Sequence, residues 1–93
     1  MKSRIVFSRV AARDLRRVAD RSARIRLVTA IESLAADPRP PDSRKLAGFD
    51  GIWRIRVGDY RVCYAWEQDE LVILILTVGR RADVYQRLRR RLG

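Results

Sequence analysis

The stretch "WRIRVGDYRVCY", residues 53–64, leaves little freedom of local structure. Its centre, Gly58-Asp59, is one of the two-residue pairs that close a tight β-hairpin, and apolar and polar residues alternate with period two on either side. Pairing outward from that turn sets Val57 against Tyr60, Arg56 against Arg61, Ile55 against Val62, Arg54 against Cys63 and Trp53 against Tyr64. One face of the hairpin is then Trp53, Ile55, Val57, Tyr60, Val62 and Tyr64, and the other carries Arg54, Arg56 and Arg61. A slip of one residue would invert every side chain, so burial of the apolar face also pins the register. That register sets two cations directly opposite each other, an arrangement unfavourable by up to about 1 kcal/mol. Opposed arginines on one surface point to an anion that neutralises them.

The flanking segments add helices before the hairpin and one more strand after it. "RIVF" reads as a short strand ending at Ser8, a suitable helix N-cap. From Arg9 to about Ala19, Ala11, Leu15 and Val18 recur at helical spacing among arginines, which predicts an amphipathic helix. Asp20 or Ser22 can cap a second helix running to about Ala36, with Leu27 or Val28, Ile31 and Leu34 on its buried side. "DPRPPDSR" stops it, because proline lacks the donor and disfavours helix in the residue before it. After the hairpin and a short polar turn at "EQDE", the run "LVILILTVG" is apolar on both faces and predicts an interior strand ending at Gly79. In the tail "RRADVYQRLRRRLG", Val84, Leu88 and Leu92 have helical spacing, so a short helix can follow. With so few apolar anchors this tail is expected to detach easily. The order β-α-α-β-β-β-(α) predicts a small α+β fold, an antiparallel sheet with the N-terminal helical pair packed on one face. Residues 1–93 are expected to be a single domain. Trp53, Tyr60, Tyr64 and Trp66 are expected in its core, and Cys63 as a small packing residue.

Charge narrows the partners. A net charge of +10 comes almost wholly from arginine, since Lys2 and Lys45 are the only lysines, and arginine's planar fork gives paired hydrogen bonds to phosphate. Nucleic acid is favoured over a membrane, because no hydrophobic run of about 18 residues is present. With no histidine and one cysteine, neither a Ser-His-Asp nor a Cys-His site can be assembled, and a zinc site would need oxygen ligands alone. Chemistry without a metal or small-molecule cofactor, or binding alone, is the expectation. "MKSRIVFSR" lacks the apolar core of a signal peptide and Cys63 has no disulfide partner, so a cytoplasmic location is expected. The basic excess is concentrated in residues 1–26, with nine basic groups against two acidic, and in residues 80–93, with six against one. On the helices, a solvated surface and a grip on a polyanion fit equally well. Arg80 and Arg81 are more informative, because they follow an interior strand, where side chains can leave the sheet and converge on a ligand.

"KLAGFDGIWRIRVGDYRVCYAW" followed by "LVILILTVGRRADVY" resembles the RelE/ParE superfamily of toxins from type II toxin-antitoxin systems, closer to the RelE type, and the element order is similar to that family's fold. The resemblance spans essentially the whole chain and is strongest from Lys45 to Tyr85. It implies a cognate antitoxin as partner and one of two activities. RelE-type members cleave mRNA on the ribosome by attack of the ribose 2′-hydroxyl on the adjacent phosphate, without a metal. ParE-type members bind and inhibit DNA gyrase with no chemistry of their own. A scaffold that only binds antitoxin or RNA is a third reading.

For the RelE-like reaction the resemblance implies a site of Arg54, Arg56, Arg61, Arg81 and Tyr85; Lys45, Arg80 and Arg87 are further expected to bind RNA. The residue types suit the chemistry, because guanidinium groups stabilise the extra negative charge of a phosphorane most in the transition state. Arg56 and Arg61 are assigned that role, Arg81 support of the leaving 5′-oxygen, and Tyr85 orientation or deprotonation of the 2′-hydroxyl, or stacking on a base. This chain has Arg54 and Arg56 where RelE-like nucleases carry lysines, and Arg80 where many relatives have histidine. A guanidinium is a poor general base, so that role would fall to Tyr85, whose reference pKa near 10 would have to be lowered.

Overall fold

The computed structural model describes residues 2–67 and 70–92. Strand β1 (Arg4–Phe7) leads through Ser8 into helix α1 (Arg9–Arg16), and the Ser8 hydroxyl accepts the Ala11 N–H at 3.0 Å. Asp20, not Ser22, caps helix α2 (Arg21–Ser33), accepting from the Ser22 and Ala23 amides. Both helices end about three residues before the expected limits. At the end of α2, Leu34, Ala35 and Ala36 each donate to the carbonyl three residues back, and this tighter winding closes the helix before Pro38 could clash with it. Strands β2 (Arg44–Lys45), β3 (Ile52–Val57), β4 (Tyr60–Ala65) and β5 (Val72–Gly79) follow, then helix α3 (Asp83–Leu92). The polar turn expected over residues 67–70 lies partly outside the described residues.

The hairpin register is the one its alternation dictates, with Arg56 opposite Arg61 and Arg54 opposite Cys63. Gly58 has a φ of +60° and no other turn residue has a positive φ, the pattern of a type II′ turn, in which glycine takes the first central position. Five strands form one sheet in the order β1-β5-β4-β3-β2. The sheet is mixed rather than antiparallel, because β1 pairs parallel to β5, with Arg4 beside Val72 and Phe7 beside Ile75. A parallel neighbour needs a crossover that covers the sheet, and the intervening α1 and α2 supply it. The added partner makes β5 interior, as its two-sided apolar pattern requires.

Two cores result. On one face, Leu27, Ile31 and Leu34 of α2 and Ala11 of α1 pack with Ile55, Val62, Tyr64, Ile73 and Ile75. Tyr64 alone of the four aromatics is fully buried, and its hydroxyl donates to the Pro38 carbonyl; Trp53, Tyr60 and Trp66 pack at the margin because they flank the sheet's ends. On the opposite face, α3 buries Val84 and Leu88 against Ile52, Cys63 and Leu76. The tail is therefore anchored more firmly than its sparse apolar content suggested. The Arg91 guanidinium adds a bond to the Leu76 carbonyl at 3.1 Å, and Arg89 stacks on Phe49.

Leu27→Ala, which empties a fully buried position, is expected to lower unfolding free energy by about 2–5 kcal/mol in urea titrations. Alkali should act through two buried groups. Burial pushes the Cys63 thiol and the Tyr64 phenol both up to about 12, from 9.0 and 10.0. Between about pH 9 and 12 the unfolded chain then holds fewer protons than the folded one, so stability falls with rising pH. Denaturation midpoints should be flat below about pH 8.5 and decline above it, and Cys63→Val should lessen the decline.

Candidate functional site

The opposed pair on the hairpin and the loop after β5 converge. Arg56, Arg61, Arg80 and Arg81, with Asp59, line an open concavity of about 400 Å³. Arg56 and Arg61 arrive there as cross-strand partners on the face away from α2, so their Cβ atoms are held roughly 5 Å apart by the ladder itself. Arg80 and Arg81 arrive because β5 ends beside Arg61, its Gly79 being that residue's partner. The Arg61 guanidinium donates to the Arg80 carbonyl at 3.1 Å, tying the loop to the hairpin. Arg80 lies over the Tyr60 ring and meets Asp59 at 4.0 Å, but both charged groups are exposed and such a pair contributes at most about 1 kcal/mol. One carboxylate among four guanidiniums leaves the hollow strongly cationic.

The other expected residues are spread around this hollow. Arg54 is on the same sheet face, one alternation from Arg56, and donates to the Asp42 carbonyl at 3.4 Å. Tyr85 is half-buried on α3, packed at the margin of the core formed by Ile52, Cys63 and Leu76. It does not line the hollow. Lys45 is further removed: as the ladder partner of Trp53 it shares that residue's face, and it lines a separate hollow with Arg39, Trp53 and Trp66. Cys63 lies between the arginines and α3. Burial outweighs the lowering influence of Arg54, Arg61 and Arg87, so the thiol stays protonated and inert near neutral pH.

Arg87 does not line the hollow and is held beside it by Gly79, expected as the strand end, and by Asp14, which sequence patterns did not single out. Its guanidinium passes over Gly79, where an added Cβ would lie 2.9 Å from Arg87 Nη2 and 3.2 Å from Val84. It ends 3.8 Å from Asp14, whose side chain is nine-tenths buried. Asp14 also accepts from the Thr77 hydroxyl at 2.9 Å and from the Val78 N–H at 3.0 Å. The need for it is geometric, because β1 ends opposite Ile75 and leaves the upper outer edge of β5 without a strand partner. One carboxylate thus joins α1, β5 and α3 at the outer edge of β5. Its only trace in the sequence was a lone acid in an arginine-rich helix.

Truncating that carboxylate should be felt at a distance. Asp14→Ala is expected to cost about 2–4 kcal/mol, since it strands the Val78 amide and the Thr77 hydroxyl. Gly79→Ala, which forces Arg87 and Val84 aside, should raise hydrogen exchange across residues 83–92 more than across α2.

Comparison with known proteins places this geometry. The family model described as the ParE toxin of type II toxin-antitoxin systems matches residues 5–85. A candidate RelE1 toxin of Methanocaldococcus jannaschii is 36% identical over 59 residues, which is 60% of this chain and 66% of that protein's length. The RelE–RelB complex of Pyrococcus horikoshii is similar with a TM-score of 0.75 and 28% identity, covering 88% of this chain and 98% of that one. A RelE toxin variant of E. coli in its free state shares the fold over 100% of both chains, with a TM-score of 0.80 and 22% identity. With the β-α-α-β-β-β-β-α order, the mixed sheet and the family match over nearly all of its length, the chain belongs to the RelE/ParE superfamily of type II toxin-antitoxin toxins.

Proposed function

We propose that the chain is a toxin that cleaves mRNA on the ribosome without a metal, and that an antitoxin neutralises it. The observation that carries this reading is the hollow of Arg56, Arg61, Arg80 and Arg81 at the end of β5. In-line attack of a ribose 2′-hydroxyl on its neighbouring phosphate gathers charge on the non-bridging oxygens. Two arginines whose stems a β-ladder sets side by side meet that charge with little reorganisation, and so favour the transition state over the substrate. Arg61, held by its bond to the Arg80 carbonyl, is the better preorganised of the two. Arg81 stabilises the departing 5′-oxygenate. Arg54, on the same sheet face, and Arg87, on α3, add positive potential from beside the hollow. Tyr85 stands at the flank, where it stacks on a base or orients the 2′-hydroxyl.

A second reading draws on the family match, described as the ParE toxin of type II toxin-antitoxin systems; the resemblance to ParE-type members implies a toxin that binds and inhibits DNA gyrase. The two readings differ in what arginine does. Transition-state stabilisation needs the fork geometry of Arg61, whereas a docking surface needs mainly the charge.

The antitoxin is inferred from relatives solved as RelE–RelB complexes. An apolar hollow of about 550 Å³ between α1 and α2, lined by Phe7, Leu15, Ile25 and Val28, would seat one of its helices, while its carboxylates meet the arginines. Ile25 is 56% exposed, an unusual degree for an isoleucine facing a groove.

In a cell-free translation reaction with mapping of mRNA ends, site-specific cuts on ribosome-bound message are expected. Arg61→Ala and Arg81→Ala should each slow cutting by about 10²–10³-fold, and Arg61→Lys should restore only part of the loss. Intact message together with blocked DNA supercoiling would replace this reading by gyrase inhibition. Tyr85→Phe separates the two roles of that ring: a stacking residue tolerates it, and a residue that handles the 2′-hydroxyl proton does not.

A further inference from the structure

The arginine-rich helices carry more charge than the hollow uses, and part of that charge is not randomly placed. A second concavity of about 370 Å³ adjoins the first, lined by Arg17, Asp20, Ala23, Arg26, Asp59, Tyr60 and Arg80. Asp59 and Arg80 belong to both, so the two meet at the tip of the hairpin, and together they are called the trough. Arg26 projects from α2 toward that tip, where a Cβ on Gly58 would lie 3.9 Å from its Nη2. Arg17 comes from the turn between α1 and α2. Both are exposed, and among the described residues neither is in an ion pair. Two carboxylates, Asp20 at the cap of α2 and Asp59 at 4.0 Å from Arg80, offset only part of the charge, because six guanidiniums line the two concavities together.

We propose that Arg17 and Arg26 form a second phosphate subsite, joined through Arg80 to the hollow at Arg61 and Arg81, that holds the backbone of the same single-stranded RNA beyond the scissile phosphate. This inference rests on the nuclease reading for the identity of the strand. A strand whose phosphate lies between Arg56 and Arg61 must leave the hollow in some direction, and its next phosphates need cations there. The direction over the hairpin tip leads into a second concavity that shares Asp59 and Arg80 with the first and is lined by further guanidiniums. Tyr60, beneath Arg80, supplies an aromatic surface beside the track, the usual companion of a cationic groove that follows single-stranded backbone. An acidic polypeptide would also be attracted by the charge, but nothing in its chemistry requires the trough to continue from a phosphate site.

The test compares binding of two RNA oligonucleotides, a trinucleotide and a 12-mer, each carrying a 2′-deoxy residue at the scissile position so that binding is measured without cleavage. The Arg17→Ala/Arg26→Ala double variant is expected to bind the 12-mer about tenfold more weakly and the trinucleotide within about twofold of the parent. The slope of log K against log salt for the 12-mer should fall by about 1.4, since each single-strand phosphate contact contributes about 0.7. The control, Arg4→Ala/Arg9→Ala, removes two exposed cations outside the trough and should leave the length dependence unchanged. Equal losses in both double variants, or equal losses for both RNA lengths, would overturn the subsite and leave only diffuse charge. Weakened binding of a polyglutamate peptide with 12-mer binding unchanged would also overturn it and make the trough a protein-docking surface. Failure of the nuclease reading is seen separately, as uncut message with the parent chain, and does not depend on these affinities.

Discussion

The arrangement depends on β5 being covered on every side. Its two faces carry the two cores, its inner edge pairs with β4, and its outer edge is divided between β1 and the Asp14 carboxylate. A strand so enclosed cannot leave a donor unpaired, which explains why a buried acid is retained beside Thr77, the one fully buried polar residue among those described. The same enclosure positions the site. Because β5 is held rigidly to its end at Gly79, the next two residues, Arg80 and Arg81, emerge at a fixed place beside Arg61.

Electrostatics and packing conflict at this point, and packing prevails. Burying Ile55, Val62 and Tyr64 fixes the hairpin register, and each such burial contributes roughly 1.5–3 kcal/mol. The repulsion between Arg56 and Arg61 that this register imposes is smaller, up to about 1 kcal/mol. The fold can therefore hold like charges together in the absence of an anion. A bound phosphate relieves the repulsion, which makes the cluster a better receptor than four arginines that were free to separate.

The hairpin was legible in its sequence from the turn out to the Trp53–Tyr64 pair, since alternation and a Gly-Asp turn leave a single register that buries the apolar face. The interior position of β5 was legible too, because a strand covered on both sides must be apolar on both. The parallel placement of β1 was not, for four residues of weak alternation carry no mark of their direction or partner. The hold of α3 was also hidden: Val84 and Leu88 look sparse in a list of apolar residues, yet both are buried completely because the hairpin's second face offers Ile52 and Cys63 beneath them. Lys45 was grouped with the arginines by its charge, and its pairing with Trp53 places it on the other face.

Sequence alone determined the local structure, the alternating hairpin, the charge that selects polyanions, and the family pattern from Lys45 to Tyr85. These follow from period, composition and spacing, which are properties of neighbours along the chain. Tertiary structure alone decided that Asp14, Gly79 and Arg87 stand beside the hollow, and that Arg17 and Arg26 border an extension of it while other helix arginines do not. Such relations join residues more than sixty positions apart in the case of Asp14 and Val78. They are set by how the helices cross the sheet, and the packing that sets the crossing is invisible to any local pattern.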